Sequence, residues 1–274
     1  MNAPHRLAVL VDSCLLPTVS GSGDRLPDWI LHGLERGTPG AAVDAGCAAA
    51  ARRAARALRA ALPGALAGHT GPRPAVDGTA AAAELVASGA NLHLGVRPDP
   101  APGATGAFVT GLQAHGVAAA LGPFTGAGGL RPFAEGLAAG VRAIAVGHAP
   151  APGGDGRPAV LSPAAVTGTL RGELGFSGAV MSDALDAPAV VEGWGVPGAA
   201  VLAWIAGVDL VRLGPRSGSG VREAIHAAAA RAVTDGDLPL ARLEEAAERV
   251  ARLRRWASEP RTPVAARRPV TRDA

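Results

Sequence analysis

The chain has 274 residues, 48% of them apolar, and a formal charge of only +3. That length suits one large domain or two small ones, and the scattered arginines and 3% aromatic content argue against a nucleic-acid partner. Lysine is absent throughout, which excludes a P-loop ending in Gly-Lys-Ser/Thr.

In chain order, the apolar run Leu7–Val11 reads as a first strand and Pro17–Arg25 as a Ser/Gly loop. Pro27 opens a helix through Trp29, Ile30 and Leu34 that stops at Gly37. A short strand over Ala41–Val43 and a helix over Ala48–Ala61 follow, then a brief apolar run at Ala65–Ala67 that ends at His69. Helix Gly78–Ser88 leads to strand Asn91–Val96, and helix Ala104–His115 to strand Val117–Leu121, with a glycine-rich loop after it. Leu130–Ala139 reads as helix and Val141–Val146 as a strand leading to His148. Ser162 is placed to cap a helix over Pro163–Leu174. Strand Ala179–Met181, helix Pro197–Ala206, strand Val208–Leu213 and helices Val221–Val233 and Pro239–Trp256 complete the series. Alternation of strand and helix about eight times, without a dinucleotide glycine fingerprint, predicts an α/β fold: a single TIM-type (β/α)8 barrel with shortened loops at its catalytic face. The barrel is expected over residues 1–256, with 257–274 as a disordered Pro/Arg-rich tail.

The two cysteines, Cys14 and Cys47, lack metal spacing, which predicts a reducing compartment or inert buried thiols. No His, Cys and carboxylate cluster is spaced for a metal, so neither metal nor cofactor is expected. The first apolar run breaks at Asp12, too soon for a signal peptide, and no segment reads as long enough to span a bilayer. A soluble cytoplasmic protein without a membrane partner is the expectation; the oligomeric state is left open.

The stretch Leu170–Val190, LRGELGFSGAVMSDALDAPAV, organises the functional reading. Its strand stops at Asp183, and an acid at the carboxyl end of a parallel strand faces the pocket. On spacing alone the same residue suits the N-cap of a helix beginning near Ala184.

Three blocks resemble glycoside hydrolase family 3, in its single-domain β-N-acetylhexosaminidase-like branch. RPAVLSPAAVTGTLRGELGFSGAVMSDALDAPAV, Arg157 to Val190, is similar to the family's signature around its aspartate nucleophile, which falls on Asp183. GLQAHGVAAALGPFTGAGG with LRPFAEGLAAGVRAIAVGHAPAP is similar to the fifth and sixth strand region, and ELVASGANLHLGVRPDPAP to the strand before an aspartate that falls on Asp99. The resemblance implies a truncated member with degenerate motifs. Where the family carries Lys-His-Phe-Pro-Gly-His-Gly, this chain has Gly122 to Gly128, and the following Asp-Ser-His loop that supplies the acid/base has no counterpart before Leu130.

A retaining glycosidase needs two carboxylate-type partners, a nucleophile and an acid/base. The resemblance implies Asp183 for the first, and His148 is the foremost candidate for the second because the family too has a histidine at that strand end. Substrate-binding candidates are Asp99, His69, His93, Glu192 and Trp194. Asp99 follows Pro98 and also suits a turn, His93 alternates with Leu92 and Leu94, and Asp155 in GGDG reads as a turn residue. The implied partner is a small-molecule sugar or glycosylated metabolite. The alternative is a catalytically inactive sugar-binding or scaffold protein, or a repurposed barrel in metabolite biosynthesis.

Overall fold

A computed structural model describes residues 3–20, 25–44, 46–69, 77–126, 129–150 and 156–259. Seven parallel strands form one sheet in sequence order: β2 (Thr18–Ser20), β3 (Gly40–Asp44), β4 (Leu66–His69), β5 (Leu92–Val96), β6 (Ala118–Phe124), β7 (Ala143–Val146) and β8 (Ala179–Ser182). Two more, β1 (Leu15–Leu16) and β9 (Val211–Arg212), pair with each other in parallel.

β1 and β2 are two halves of one strand position, interrupted at Pro17, which has no N–H to give to a ladder. Its carbonyl still accepts from Ala42 N at 2.8 Å. The remaining seam lies between β8 and β9. There Met181 pairs in parallel with Leu210, and Ser182 N donates to Leu210 O at 3.0 Å. The ring therefore closes over eight strand positions, as the alternation predicts.

Period-2 patterning sorts the strand residues. Ala42, Leu66, Leu92, Ala118, Ala120, Ala143, Ala179, Met181 and Leu210 point inward and share one cluster with Val250, Leu253 and Ala257 of α9 (Leu240–Ser258). The intervening residues Ala119, Leu121, Ile144, Val146, Val180 and Val211 meet the helical layer. Helices α2 (Asp28–Arg36), α3 (Ala48–Ala61), α4 (Gly78–Ala87), α5 (Ala104–Ala114) and α6 (Leu130–Ala138) lie within one or two residues of their predicted ranges.

Several expectations are corrected. Leu7–Val11 is not a strand but part of helix α1 (Ala3–Ser13). Leu7, Leu10, Val11 and Cys14 recur at helical spacing and all pack on the main core, whereas a five-residue apolar run cannot by itself distinguish strand from helix. Buried Asp12 on that helix takes a bidentate pair from Arg222, at 2.9 and 2.7 Å, and a 2.8 Å contact from His226 Nε2. Both partners lie on α8 (Ser219–Asp235). The first strand position is instead Leu15–Ser20, which overlaps the expected Pro17–Arg25 loop. Ala164–Glu173 is wound as a π-helix, with Leu174 N reaching back to Thr169 O at 2.9 Å.

Asp183 is not a helix cap, because the next helix, α7 (Pro188–Ala206), begins five residues later with Ala187 at its N-cap. Gly195 (φ 61°) kinks α7 ahead of Pro197. On length and composition alone this helix could cross a membrane. In the fold, Val190, Ala199, Ala200, Ala203 and Trp204 are buried in the core. Cys14 is buried, but Cys47 is exposed, and both are free thiols. The predicted tail from residue 260 onward lies outside the described residues.

Close helix packing yields a stability prediction. A Cβ at Gly78, the first residue of α4, would lie 1.9 Å from Phe108 O on α5. Gly78→Ala should therefore destabilise the fold by about 1–3 kcal/mol through overpacking. Gly193→Ala, with open space around its Cβ, serves as the control. Urea midpoints that shift equally in the two variants would contradict this.

Candidate active site

Inward alternation along β8 runs Ala179, Met181, Asp183, and along the stretch ending in β9 it runs Leu210, Arg212. Both ends reach the same mouth of the ring, where the pocket of a parallel barrel is found. A cavity of about 210 Å³ opens there, lined by Leu94, Gly95, Arg97, Gly122, Pro123, Ala145, Met181, Ser182, Asp183 and Arg212. Five consecutive strand positions, from β5 to β9, thus contribute to it.

Asp183 is anchored on one side only. Its backbone N donates to Val146 O at 2.9 Å, tying it to β7. Its Oδ1 accepts from Ala184 N at 2.8 Å and from Arg212 Nη1 at 3.3 Å. Its Oδ2 has no hydrogen bond among the described residues, and the side chain is 49% exposed. Arg212 is held in turn: its backbone N donates to Ser182 Oγ at 2.8 Å. The guanidinium is 15% exposed, and its buried Nε–H has no acceptor among the described residues. Such a carboxylate, beside a cation and with one oxygen free, can act as a nucleophile or as a hydrogen-bond acceptor for a ligand hydroxyl.

The other sequence candidates lie elsewhere. His148 follows β7, is half-buried and does not line the cavity; its buried Nε2 has no partner among the described residues. His93 is buried, with its ring 6.4 Å from that of Phe108 on α5, so it faces the helical layer while Leu92 and Leu94 face the interior. Its Nδ1 lies 3.3 Å from both Gly95 N and His69 O. Burial holds the His93 and His69 imidazoles below the ordinary histidine value, which favours their neutral forms. Asp99 is exposed and forms a turn: its Oδ1 accepts from Ala101 N at 2.8 Å, and its backbone N donates to Thr105 Oγ1 at 2.8 Å. Glu192 is exposed, and Trp194 packs half-buried against the core; neither lines the cavity. Asp155 lies outside the described residues.

Sequence reasoning did not single out Arg97 and Arg212. For Arg212 a signal existed, because inward Leu210 two residues earlier implies an inward Arg212. What it contacts could not be read without the closed seam. Gly122 and Pro123, where the resemblance puts Lys-His, form the cavity wall. A Cβ at Gly122 would come within 2.3 Å of Ala145 O, so this backbone admits no side chain there.

Residues 127–253 match the Glycosyl hydrolase family 3 N terminal domain. Two curated β-hexosaminidases of Stenotrophomonas maltophilia, strains R551-3 and K279a, are 34% and 33% identical over 158 residues. The match covers 49% of this chain and 46% of each relative, so the chain spans about half the length of the curated relatives it matches. Among solved structures, a glycoside hydrolase family 3 β-N-acetylglucosaminidase from Paenibacillus sp. str. FPU-7 superposes with a TM-score of 0.75 at 21% identity, covering 97% of this chain and 65% of that one. A β-N-acetylhexosaminidase from Beutenbergia cavernae DSM 12333 gives 0.72 at 22% identity, covering 90% and 98% respectively. At such identities the structural likeness speaks for the fold.

Proposed function

We propose that this chain, which carries a glycoside hydrolase family 3-type barrel with the family's N-terminal-domain match over residues 127–253, cleaves a β-glycoside with retention through Asp183. An N-acetylhexosaminide is the substrate class suggested by the names of its relatives. The observation that carries this reading is the free Oδ2 of Asp183 at the mouth of the ring, with Oδ1 held by Arg212 and Ala184 N.

In the first step Asp183 Oδ2 bonds to the anomeric carbon as the glycosidic C–O bond breaks, and the bonding pair leaves on the aglycone oxygen. In the second, water bonds to that carbon, gives its proton to solvent or a local base, and releases the Asp183 carboxylate. Arg212 Nη1 and Ala184 N hold Oδ1 throughout, which leaves Oδ2 as the attacking oxygen.

The test is turnover of 4-nitrophenyl N-acetyl-β-D-glucosaminide by the wild type and by Asp183→Ala. Loss of nearly all turnover in the variant, on the order of 10⁴-fold or more by analogy with other deleted nucleophiles, is the expected result. Equal rates would end the proposal.

A second reading, a sugar-binding protein without turnover, draws support from the cavity lining. Asp183 is its only carboxylate among the described residues. Absence of turnover in the wild type, with sugar binding retained, would favour it.

A further inference from the structure

The charge of the cavity is unusual for a site that takes a neutral sugar. Two guanidiniums, Arg97 and Arg212, line it against one carboxylate, Asp183, and no other ionisable side chain lines it among the described residues. Asp183 engages only Nη1 of Arg212, at 3.3 Å. The Arg212 side chain is 15% exposed, and it lines the cavity. A guanidinium donates readily to a planar or tetrahedral oxyanion. Arg97 is exposed at the rim, on the stretch that leaves β5, and lines the same cavity. The volume of about 210 Å³ is below the ~300–1,000 Å³ typical of drug-sized ligand sites, which suits one sugar unit.

We propose that this cavity takes a single sugar unit bearing an oxyanion, a carboxylate or a phosphate, with Arg97 and Arg212 holding the anion beside Asp183. This rests on the reading above only in taking the ligand to be a sugar. The charge preference is read from binding and not from turnover, so the two fail separately.

The experiment is calorimetric titration of the full chain with D-glucuronate, D-glucose 6-phosphate, N-acetyl-D-glucosamine and inorganic phosphate, each at two salt concentrations. Both anionic sugars are expected to bind more tightly than N-acetylglucosamine and to weaken as salt rises. Arg97→Ala, at an exposed position, should weaken them about 10–100-fold. Arg212→Met should do the same, with circular dichroism reporting that it has folded. Asp183→Ala removes a like charge and should tighten the anionic sugars while abolishing glycosidase turnover. The proposal is overturned if N-acetylglucosamine binds as tightly as the anionic sugars, if Arg97→Ala leaves their affinity unchanged, or if inorganic phosphate alone matches glucose 6-phosphate.

Discussion

Asp209→Ala is expected to destabilise the barrel by about 3–5 kcal/mol, the range found when one partner of a buried ion pair is removed. Asp209 is fully buried and serves three cations at once. Its Oδ2 accepts from Arg171 Nη2 at 2.6 Å and from Val180 N at 2.9 Å, and its Oδ1 accepts from Arg242 Nη2 at 2.6 Å and Arg249 Nη1 at 3.3 Å. These guanidiniums are only 14–17% exposed. Burial holds the Arg171 guanidinium below its ordinary value, and Asp209 opposes that shift while Arg249 and Arg242 reinforce it. Removing the carboxylate would leave mutually repelling cations with little water to screen them. The loss is large against a typical total of ~5–15 kcal/mol.

The position of Asp209 adds a second consequence. It lies at the start of the β8–β9 seam, where its backbone N and that of Leu210 both reach Val180 O, at 2.7 and 3.0 Å. At the other end of the same two strands stand Asp183 and Arg212. Loosening the clamp should therefore disturb the site as well as the fold. Guanidinium chloride unfolding followed by circular dichroism is the measurement. A midpoint equal to that of the wild type would show that the network contributes nothing net.

Cleavage is also expected to depend steeply on the leaving group. Among the described residues, no second carboxylate lines the cavity around Asp183. General acid catalysis is commonly worth ~10²–10⁴-fold, and an alkoxide leaves poorly without it. Methyl N-acetyl-β-D-glucosaminide should therefore be cleaved slower than the 4-nitrophenyl glycoside by at least that factor of ~10²–10⁴. Activity towards the nitrophenyl substrate should lack the alkaline limb that deprotonation of a general acid produces. Similar rates for the two substrates would mean that a proton donor reaches the leaving oxygen from elsewhere in the chain, with His148 after β7 as the first residue to replace.

Periodicity and punctuation alone carried much of the architecture. Gly37 after α2, the helix from Gly78 and the strand ending in Asp183 can all be placed from local residue order, because turn glycines, capping residues and apolar spacing act over a few residues. Local order failed at α1, where Leu7–Val11 is short enough to suit either strand or helix. The helix is seen only in the fold, where Leu7, Leu10, Val11 and Cys14 pack on the main core and Arg222 and His226, more than two hundred residues away, close on Asp12.

The site shows the same division. That an acid stands at the end of β8 is written in the sequence, and the resemblance of Arg157–Val190 to a family signature gives it a role to test. That Asp183 faces Arg212 across 29 residues of chain is not, since the contact exists only because the ring closes between β8 and β9. His93, Asp99 and Glu192 are all substrate-binding candidates on the sequence. Strand alternation turned His93 toward Phe108, a turn engaged Asp99, and the helix surface left Glu192 in solvent. Chain order can specify which residues sit at strand ends, but direction and partnership follow from closure, where each strand's pleat is fixed by neighbours on both sides.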